Sequence, residues 1–208
     1  IAGQAILQSG IIEASKAQFH GDTITHSGTT QANSVQVGNY LSFTSTNEDL
    51  VSSGSLIANE LSIAGGLSPS SNPSFELSGK NNKVSSLLIS GTHQDITFRS
   101  SATLTVGEAN EGKTSPIDVS NLDLRVERGD LQINSQIGSS YSGSVLLAAE
   151  KNLIFNSAVL AKNYILYSNK LIDNISEQDQ DEADSRLDGS LISIDDLSSS
   201  LLTMNENQ

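Results

Sequence analysis

A fourteen-residue phrase occurs three times near the start of the chain, and this repeat limits the possible folds more than any other feature. Its copies read ILQSGIIEASKAQF at 6–19, ITHSGTTQANSVQV at 24–37 and LVSSGSLIANELSI at 50–63. In each copy a Ser-Gly step is followed four residues later by Ala, and then by apolar residues at alternate positions. The copies start 18 and then 26 residues apart, so one unit recurs with an eight-residue insertion. Such a short alternating unit buries its apolar side only by stacking on the next copy, which predicts a β-solenoid.

The composition favours one all-β domain of stacked coils over residues 1–172. Only 4 % of the 208 residues are aromatic, but 36 % are hydrophobic and regularly spaced. Stacked coils need few aromatic residues, because each aliphatic side chain packs on its counterpart one strand away. At about 20 residues per coil, we expect roughly eight or nine coils. Parallel strands are favoured because the repeat is a translation, and because the only Asn-Gly or Asp-Gly pair is Asp188-Gly189.

Alternation of apolar and polar residues predicts ten short strands in this body. They are Ser34–Val37, Leu41–Phe43, Leu61–Ile63, Ile96–Phe98, Leu104–Val106, Leu122–Val126, Leu131–Ile133, Val145–Leu147, Leu153–Phe155 and Tyr164–Leu166. The same alternation predicts that Val37, Ile63 and Phe155 face inward, whereas Gln36, Ser62 and Ile154 face outward. Asp or Asn precedes several strands and is expected to turn the chain there; these residues are Asp95, Asp123, Asp130, Asn152 and Asn163. The proline-bearing stretches 65–74 and 107–116 are predicted loops.

The charge distribution separates a C-terminal segment, residues 173–208, from the body. This segment has ten acidic residues and one basic residue, which gives −9 of the total net charge of −13. We expect its first part to form a short acidic helix, and the apolar residues within 191–202 to cap the last coil, because a solenoid end exposes an unpaired edge.

Several functional classes are disfavoured by what the sequence contains. The acidic net charge disfavours binding of nucleic acid. No run of 18 apolar residues predicts a membrane-spanning helix. Cysteine is absent, so thiolate metal sites and Cys nucleophiles are excluded. Because residue 1 is Ile, we expect a processed product or a part of a longer chain.

Three later stretches carry a family resemblance. They are FELSGKNNKVSSLLISGTHQDITFRSSATLTV at 75–106, GDLQINSQIG at 129–138 and SGSVLLAAEKNLIFNSAVLAKNYILYSNK at 142–170. These phrases are similar to the passenger repeats of the filamentous haemagglutinin family, the exoproteins of two-partner secretion. The resemblance covers most of residues 1–172 and none of the acidic segment.

The resemblance implies both a fold and a role. The fold would be a right-handed parallel β-helix, with no cofactor. The chain would be exported through the outer-membrane transporter barrel of a Gram-negative bacterium and be secreted or held at the cell surface. There it would bind a receptor or glycan on a host or neighbouring cell, in adhesion, aggregation or biofilm formation.

One short motif is a candidate binding site. Arg128, Gly129 and Asp130 spell the tripeptide that integrins recognise. The alternative is structural, with Gly129 and Asp130 forming a turn before the strand Leu131–Ile133.

Metal sites are weakly indicated. Calcium candidates by charge alone are Asp179, Asp181, Asp184 and Asp188. An EF-hand loop starting at Asp179 fails at Ala183, Asp184 and Ser190, where a ligand, Gly and Glu are required. The three histidines, His20, His26 and His93, lack nearby ligand partners in the sequence, so we expect them to be solvated at turns. Asn174-Ile175-Ser176 matches a glycosylation acceptor, which chance alone explains.

An enzyme is the least favoured class. The acidic residues of the body occur singly, without two at equivalent positions in neighbouring repeats, and aromatic residues that stack on sugars are few. We therefore predict a structural or adhesive segment of a β-helical fibre. The alternative is a self-assembling extracellular filament subunit, and the third possibility is a β-helical carbohydrate-active enzyme.

Overall fold

The structure is a computed structural model that describes residues 5–20, 23–38, 49–64, 74–107, 116–138, 143–174 and 190–191. All strand pairs in these residues are parallel, and the described residues contain no helix. The odd-numbered strands form one sheet: β1 Ala5–Gln8, β3 Thr23–His26, β5 Asp49–Ser52, β7 Phe75–Leu77, β9 Thr92–Ser100, β11 Asp118–Val126, β13 Ser144–Ala149, β15 Asn163–Tyr167 and β17 Ser190–Leu191. The even-numbered strands form the other: β2 Ile11–Phe19, β4 Thr29–Gly38, β6 Ser55–Ala64, β8 Lys83–Ser90, β10 Leu104–Val106, β12 Leu131–Ile133, β14 Asn152–Phe155 and β16 Lys170–Asp173.

Each coil contributes one strand to each sheet. In both sheets the strands stack in chain order, so the predicted all-β parallel β-helix is confirmed. Eight pairs of strands and the first strand of a ninth coil are described. The paired positions in the odd sheet are 18 to 27 residues apart along the chain. With strands about 4.8 Å apart, the eight coils form a stack about 40 Å long.

The three sequence repeats stack in register, as predicted. Ala14 pairs with Ala32, which pairs with Ala58, and the apolar positions that follow pair in the same way down the even sheet. The alternation breaks after this alanine: Asn33 is exposed and Ser34 half-buried, whereas Ala32 and Val35 are buried. Two successive outward residues bend the strand, which explains the spacing of the apolar residues in the repeat.

The Ser-Gly step of the repeat lies at the turn from the odd to the even sheet. A Cβ on Gly28 would overlap the carbonyl oxygen of Gly10, and one on Gly54 would overlap that of Gly28. Gly79 stands against Gly54 in the same way, which extends this stack into a fourth coil that the sequence repeat did not show. Glycine is required here because the backbones of successive coils approach too closely for any side chain.

The core is a stack of aliphatic columns between the two sheets. Val37, Ile63 and Phe155 are 1 %, 0 % and 7 % exposed, so their predicted inward orientation is confirmed. Gln36 and Ile154 are half-buried on the outside. Ser62 alternates outward as predicted but is only 6 % exposed, and its hydroxyl donates to Glu60 Oε1 over 3.1 Å.

Nine of the ten predicted strands lie within strands of the structure. The tenth, Leu41–Phe43, and most of the predicted loops at 65–74 and 107–116 lie outside the described residues. Polar inward residues explain why β1 and β3 were missed: Gln8 and His26 are 6 % and 2 % exposed and interrupt the apolar pattern.

The predicted boundary after residue 172 lies inside β16. β16 ends at Asp173, and residues 175–189 and 192–208 lie outside the described part, including the predicted helix and most of the predicted cap. Ser190 and Leu191 form β17, which pairs with β15. No helix long and apolar enough to cross a membrane is found among the described residues.

Candidate binding surface

The candidate binding surface lies beside one of the two sets of turns that join the sheets. Turns from odd to even strands, here called the short turns, contain two to five residues. Turns from even to odd strands, here called the variable turns, contain one to sixteen residues. The odd strands therefore begin beside the variable turns, where loops on a rigid scaffold commonly carry function.

A groove of about 370 Å³ lies on the outer face of the odd sheet across β9, β11, β13 and β15. We call it the outer groove. One wall is a polar row in which paired residues succeed each other from coil to coil: Asp95, Asn121, Ser144 and Asn163. Asn121 Nδ2 donates to Asp95 Oδ1 over 2.6 Å, and Asn163 Nδ2 donates to Ser144 Oγ over 3.3 Å.

The next row of the outer groove changes from polar to apolar along the stack. Its members are in register and read Thr97, Asp123, Leu146 and Ile165. All four are half-buried, so their outer atoms remain accessible to solvent. The alternation of a strand requires these positions to face away from the core, because Leu122, Leu124 and Val145 between them face inward.

Beyond this row, Arg125 and Asp123 form an ion pair. Arg125 donates through Nε to Oδ1 and through Nη2 to Oδ2 of Asp123, over 2.8 and 2.7 Å. The hydrogen bonds with Asp123 raise the pKa of Arg125 although partial burial opposes this. Tyr167, 37 % exposed, continues the row of Arg125 and Ala148 on β15. The surface thus offers hydrogen-bonding groups, a paired charge and an aromatic ring.

A second groove, of about 460 Å³, lies along the bend of the even strands. It is lined by the paired residues Glu13, Gln31, Ile57 and Lys83 and by neighbouring small and polar residues. Opposite charges, Glu13 and Lys83, stand at its two ends, and its lining residues lie near the starts of the even strands, which follow the short turns. We therefore regard the outer groove as the better candidate for binding.

The Arg128-Gly129-Asp130 motif lies in the short turn between β11 and β12. Arg128 is exposed, whereas Gly129 is buried with φ at 122° and donates its N–H to Glu150 Oε2 over 3.2 Å. Asp130 Oδ1 accepts hydrogen bonds from the backbone N–H and from Nδ2 of Asn152, over 3.1 and 2.7 Å. These contacts fit the structural alternative, a capped turn between neighbouring coils.

The other aspartate and asparagine predictions divide into two groups. Asp130 lies in a short turn, and Asn152 and Asn163 are the first residues of β14 and β15, as expected. Asp95 and Asp123 instead lie inside β9 and β11 and face outward. The expectation that these two turn the chain was wrong. Their position directly before an inward residue was the signal that could have shown that their side chains face outward.

His26 corrects the expectation of solvated histidines. It is 2 % exposed in the core, where its Nε2 lies 3.0 Å from Thr30 Oγ1 and its ring meets Phe19 edge to face at 6.0 Å. Burial lowers the pKa of His26 from its ordinary value, so the imidazole is neutral at pH 7. His20 is half-buried and directly follows β2. The side chain of His93 is not among those that the structure describes.

Within the described ranges, no three His, Cys, Asp or Glu side chains are grouped to hold a metal ion. The calcium candidates Asp179, Asp181, Asp184 and Asp188 lie outside these ranges. Glu127 and Glu150 directly follow the paired residues Val126 and Ala149, so one coil position does carry two carboxylates. Sequence reasoning missed this pair, because the intervening coil lengths differ.

No known family model, curated protein or solved structure matches this chain.

Proposed function

We propose that the chain is a structural and adhesive segment of a secreted or cell-surface fibre, of the kind that the haemagglutinin-like repeats imply. The observation that supports this is the asymmetry of the coil. One set of turns is short, and the other varies in length beside an outer face that presents a polar row and a row that changes from polar to apolar. Such a scaffold supports attachment through an extended surface rather than through an enclosed site.

The outer groove is the proposed contact surface for a receptor or glycan. Its Asn, Ser and Asp side chains can exchange hydrogen bonds with hydroxyl groups, and Ile165 and Tyr167 supply apolar contact beside them. Equivalent groups recur at one-strand spacing of about 4.8 Å, which suits an elongated partner lying along the stack.

Adhesion can be measured with beads coated with the purified chain, applied to cultured epithelial cells and to immobilised glycans. Ile165→Asn in the outer groove should reduce bead retention at least about fivefold if this side chain is a binding hot spot. Ile154→Asn is the matched control, because Ile154 is equally half-buried on the outer face of the opposite sheet. Equal retention of both variants would remove the outer groove from the adhesive role, and no retention of the parent chain would contradict adhesion itself.

The first coil supports the filament alternative, and it equally fits a continuation of the solenoid. Leu7 and Ile11 are 75 % and 76 % exposed, and the inward-facing Ala14 is exposed on the edge strand β2. Unpaired strand edges with apolar side chains promote stacking between molecules. Electron microscopy distinguishes the two, because a subunit forms indefinite filaments at raised concentration and a fibre segment remains a monodisperse particle in small-angle scattering.

A further inference from the structure

One column of core positions runs through the whole even sheet as it is described. Its members are successive pairing partners on the eight strands from β2 to β16. They are Ala17, Val35, Leu61, Leu87, Val106, Ile133, Phe155 and Asp173. The first seven are apolar and at most 7 % exposed. The eighth, on the last even strand described, is an aspartate and is exposed.

The alternation of β16 places the side chain of Asp173 on the core side of the sheet. Leu171 and Asp173 point to one face, and Ile172 between them points to the other. Leu171 continues a second core column, in which Leu104, Leu131 and Leu153 are 0 % exposed. The last even strand therefore carries one apolar residue and one carboxylate, where each of the three preceding strands carries two apolar residues.

The two edges of the even sheet match each other as surfaces for self-association. Among the described residues, β2 forms one edge of this sheet and β16 the other. Because all the strand pairs are parallel, β2 of a second copy could extend β16 through the same ladder that joins successive coils. In that register Ala17 of the second copy would stack on Asp173, as Val35 stacks on Ala17 within one chain.

The carboxylate opposes this contact. It would lie between the side chains of Phe155 and Ala17, which donate no hydrogen bond, and a charge buried without a partner is strongly unfavourable. Lys16, the nearest cation on β2, is exposed and alternates to the outer face, away from the core side on which Asp173 lies. An inward-pointing charge on an edge strand is one of the devices by which proteins prevent the addition of further strands.

We propose that Asp173 prevents a second copy of the chain from extending the even sheet at β16. The chain then remains a discrete particle, in contrast to the filament alternative. The inference rests on register and burial, and it is independent of the adhesive role.

Replacing the carboxylate by an apolar side chain tests the proposal. Asp173→Val completes the apolar column, so the full chain should associate. Light scattering after size exclusion should give at least about twice the monomer mass at concentrations where the parent chain is monomeric. Asp118→Val is the matched control, because Asp118 is also an exposed strand aspartate but lies within the odd sheet. It loses the same charge, gains the same apolar group and should stay monomeric.

A double variant identifies the surface through which Asp173→Val associates. Adding Leu171→Asp returns a charge to the core side of β16, so this double variant should be monomeric again. Association that persists in the double variant would not involve this end, and it would overturn the proposal. A monomeric Asp173→Val, equal association of Asp118→Val, or end-to-end filaments of the parent chain would each overturn it as well.

Discussion

The short turns and the variable turns of the same coil differ in how much their length changes along the stack. The short turns hold two to five residues, their glycines contact the backbone of the preceding coil, and their amides donate to it. The variable turns hold one to sixteen residues, and the insertion between the second and third repeats falls in one of them, at 39–48. The comparison teaches that the short turns stay nearly constant in length through the stack, whereas the variable turns differ widely in length even where Ile117, Ile137 and Val159 pair from coil to coil across three of them.

The largest effect should come from a buried charge next to a variable turn. Ile63 is 0 % exposed and lies one residue before the end of β6. A variable turn follows this strand. Ile63→Asp should lower the free energy of unfolding by about 4 kcal/mol or more, since the carboxylate would lack a partner in the core. Chemical denaturation measures this. Gln36→Asp on the outer face is the control, and an equal loss in both would contradict the inward assignment.

Insertions test whether a short turn tolerates added length less well than a variable turn does. Gly-Ser-Gly-Ser inserted between Ser53 and Gly54 should cost about 3 kcal/mol, because the amides of Ser53 and Ser55 would lose acceptors at 3.0 and 2.9 Å in the previous coil. The same insertion between Asn110 and Glu111, in a variable turn, should cost less than about 1 kcal/mol, as loop closure depends weakly on length. Equal costs in thermal and urea unfolding would show that the two turns do not differ.

Replacing a glycine by alanine tests the close backbone approach of neighbouring coils at the short turns. Gly54→Ala should destabilise the fold by about 1–3 kcal/mol, because the Cβ would meet the carbonyl oxygen of Gly28 and the ring of His26. Gly10→Ala, at the same position of the first coil, has no atom within 4 Å of the new Cβ and should be nearly neutral. Urea unfolding of the two variants measures this difference. Coinciding unfolding midpoints would contradict the role of Gly54 in coil stacking.

The smallest effect concerns pH. Because burial lowers the pKa of His26 below 6.5 in the folded state, the unfolded chain binds a proton that the folded chain does not. Stability should therefore be constant above about pH 6.5 and fall as the pH decreases below it. His26→Gln, which copies the residue that Gln8 supplies in the preceding coil, should flatten this slope. An unchanged slope in His26→Gln would contradict the assignment to this histidine.

Much of the fold is predictable from the first three repeats, and less from the later coils. The shared Ser-Gly step and alternation of the repeats gave the correct register, because each copy needs the same close backbone approach. The fourth coil was hidden by one extra residue between Gly79 and Val84, relative to Gly54 and Ala58. The outer groove was also hidden, because its rows join residues 19 to 26 positions apart, which only the stacking of unequal coils brings together.

A pulling force along the stack should first separate the coils in the middle of the stack. Between the fourth and fifth coils, β8 and β10 pair only through Ser86 with Thr105 and Leu87 with Val106. The carbonyl of Asn82 supports this junction by accepting from both the amide and the hydroxyl of Ser101, at 2.7 and 2.8 Å. Tension along the stack loads the coil junctions in series, so this junction, which has the fewest paired residues of those described in both sheets, should yield before the others. We expect the segment to extend under tension by parting here into two halves, and to re-form when the load is released.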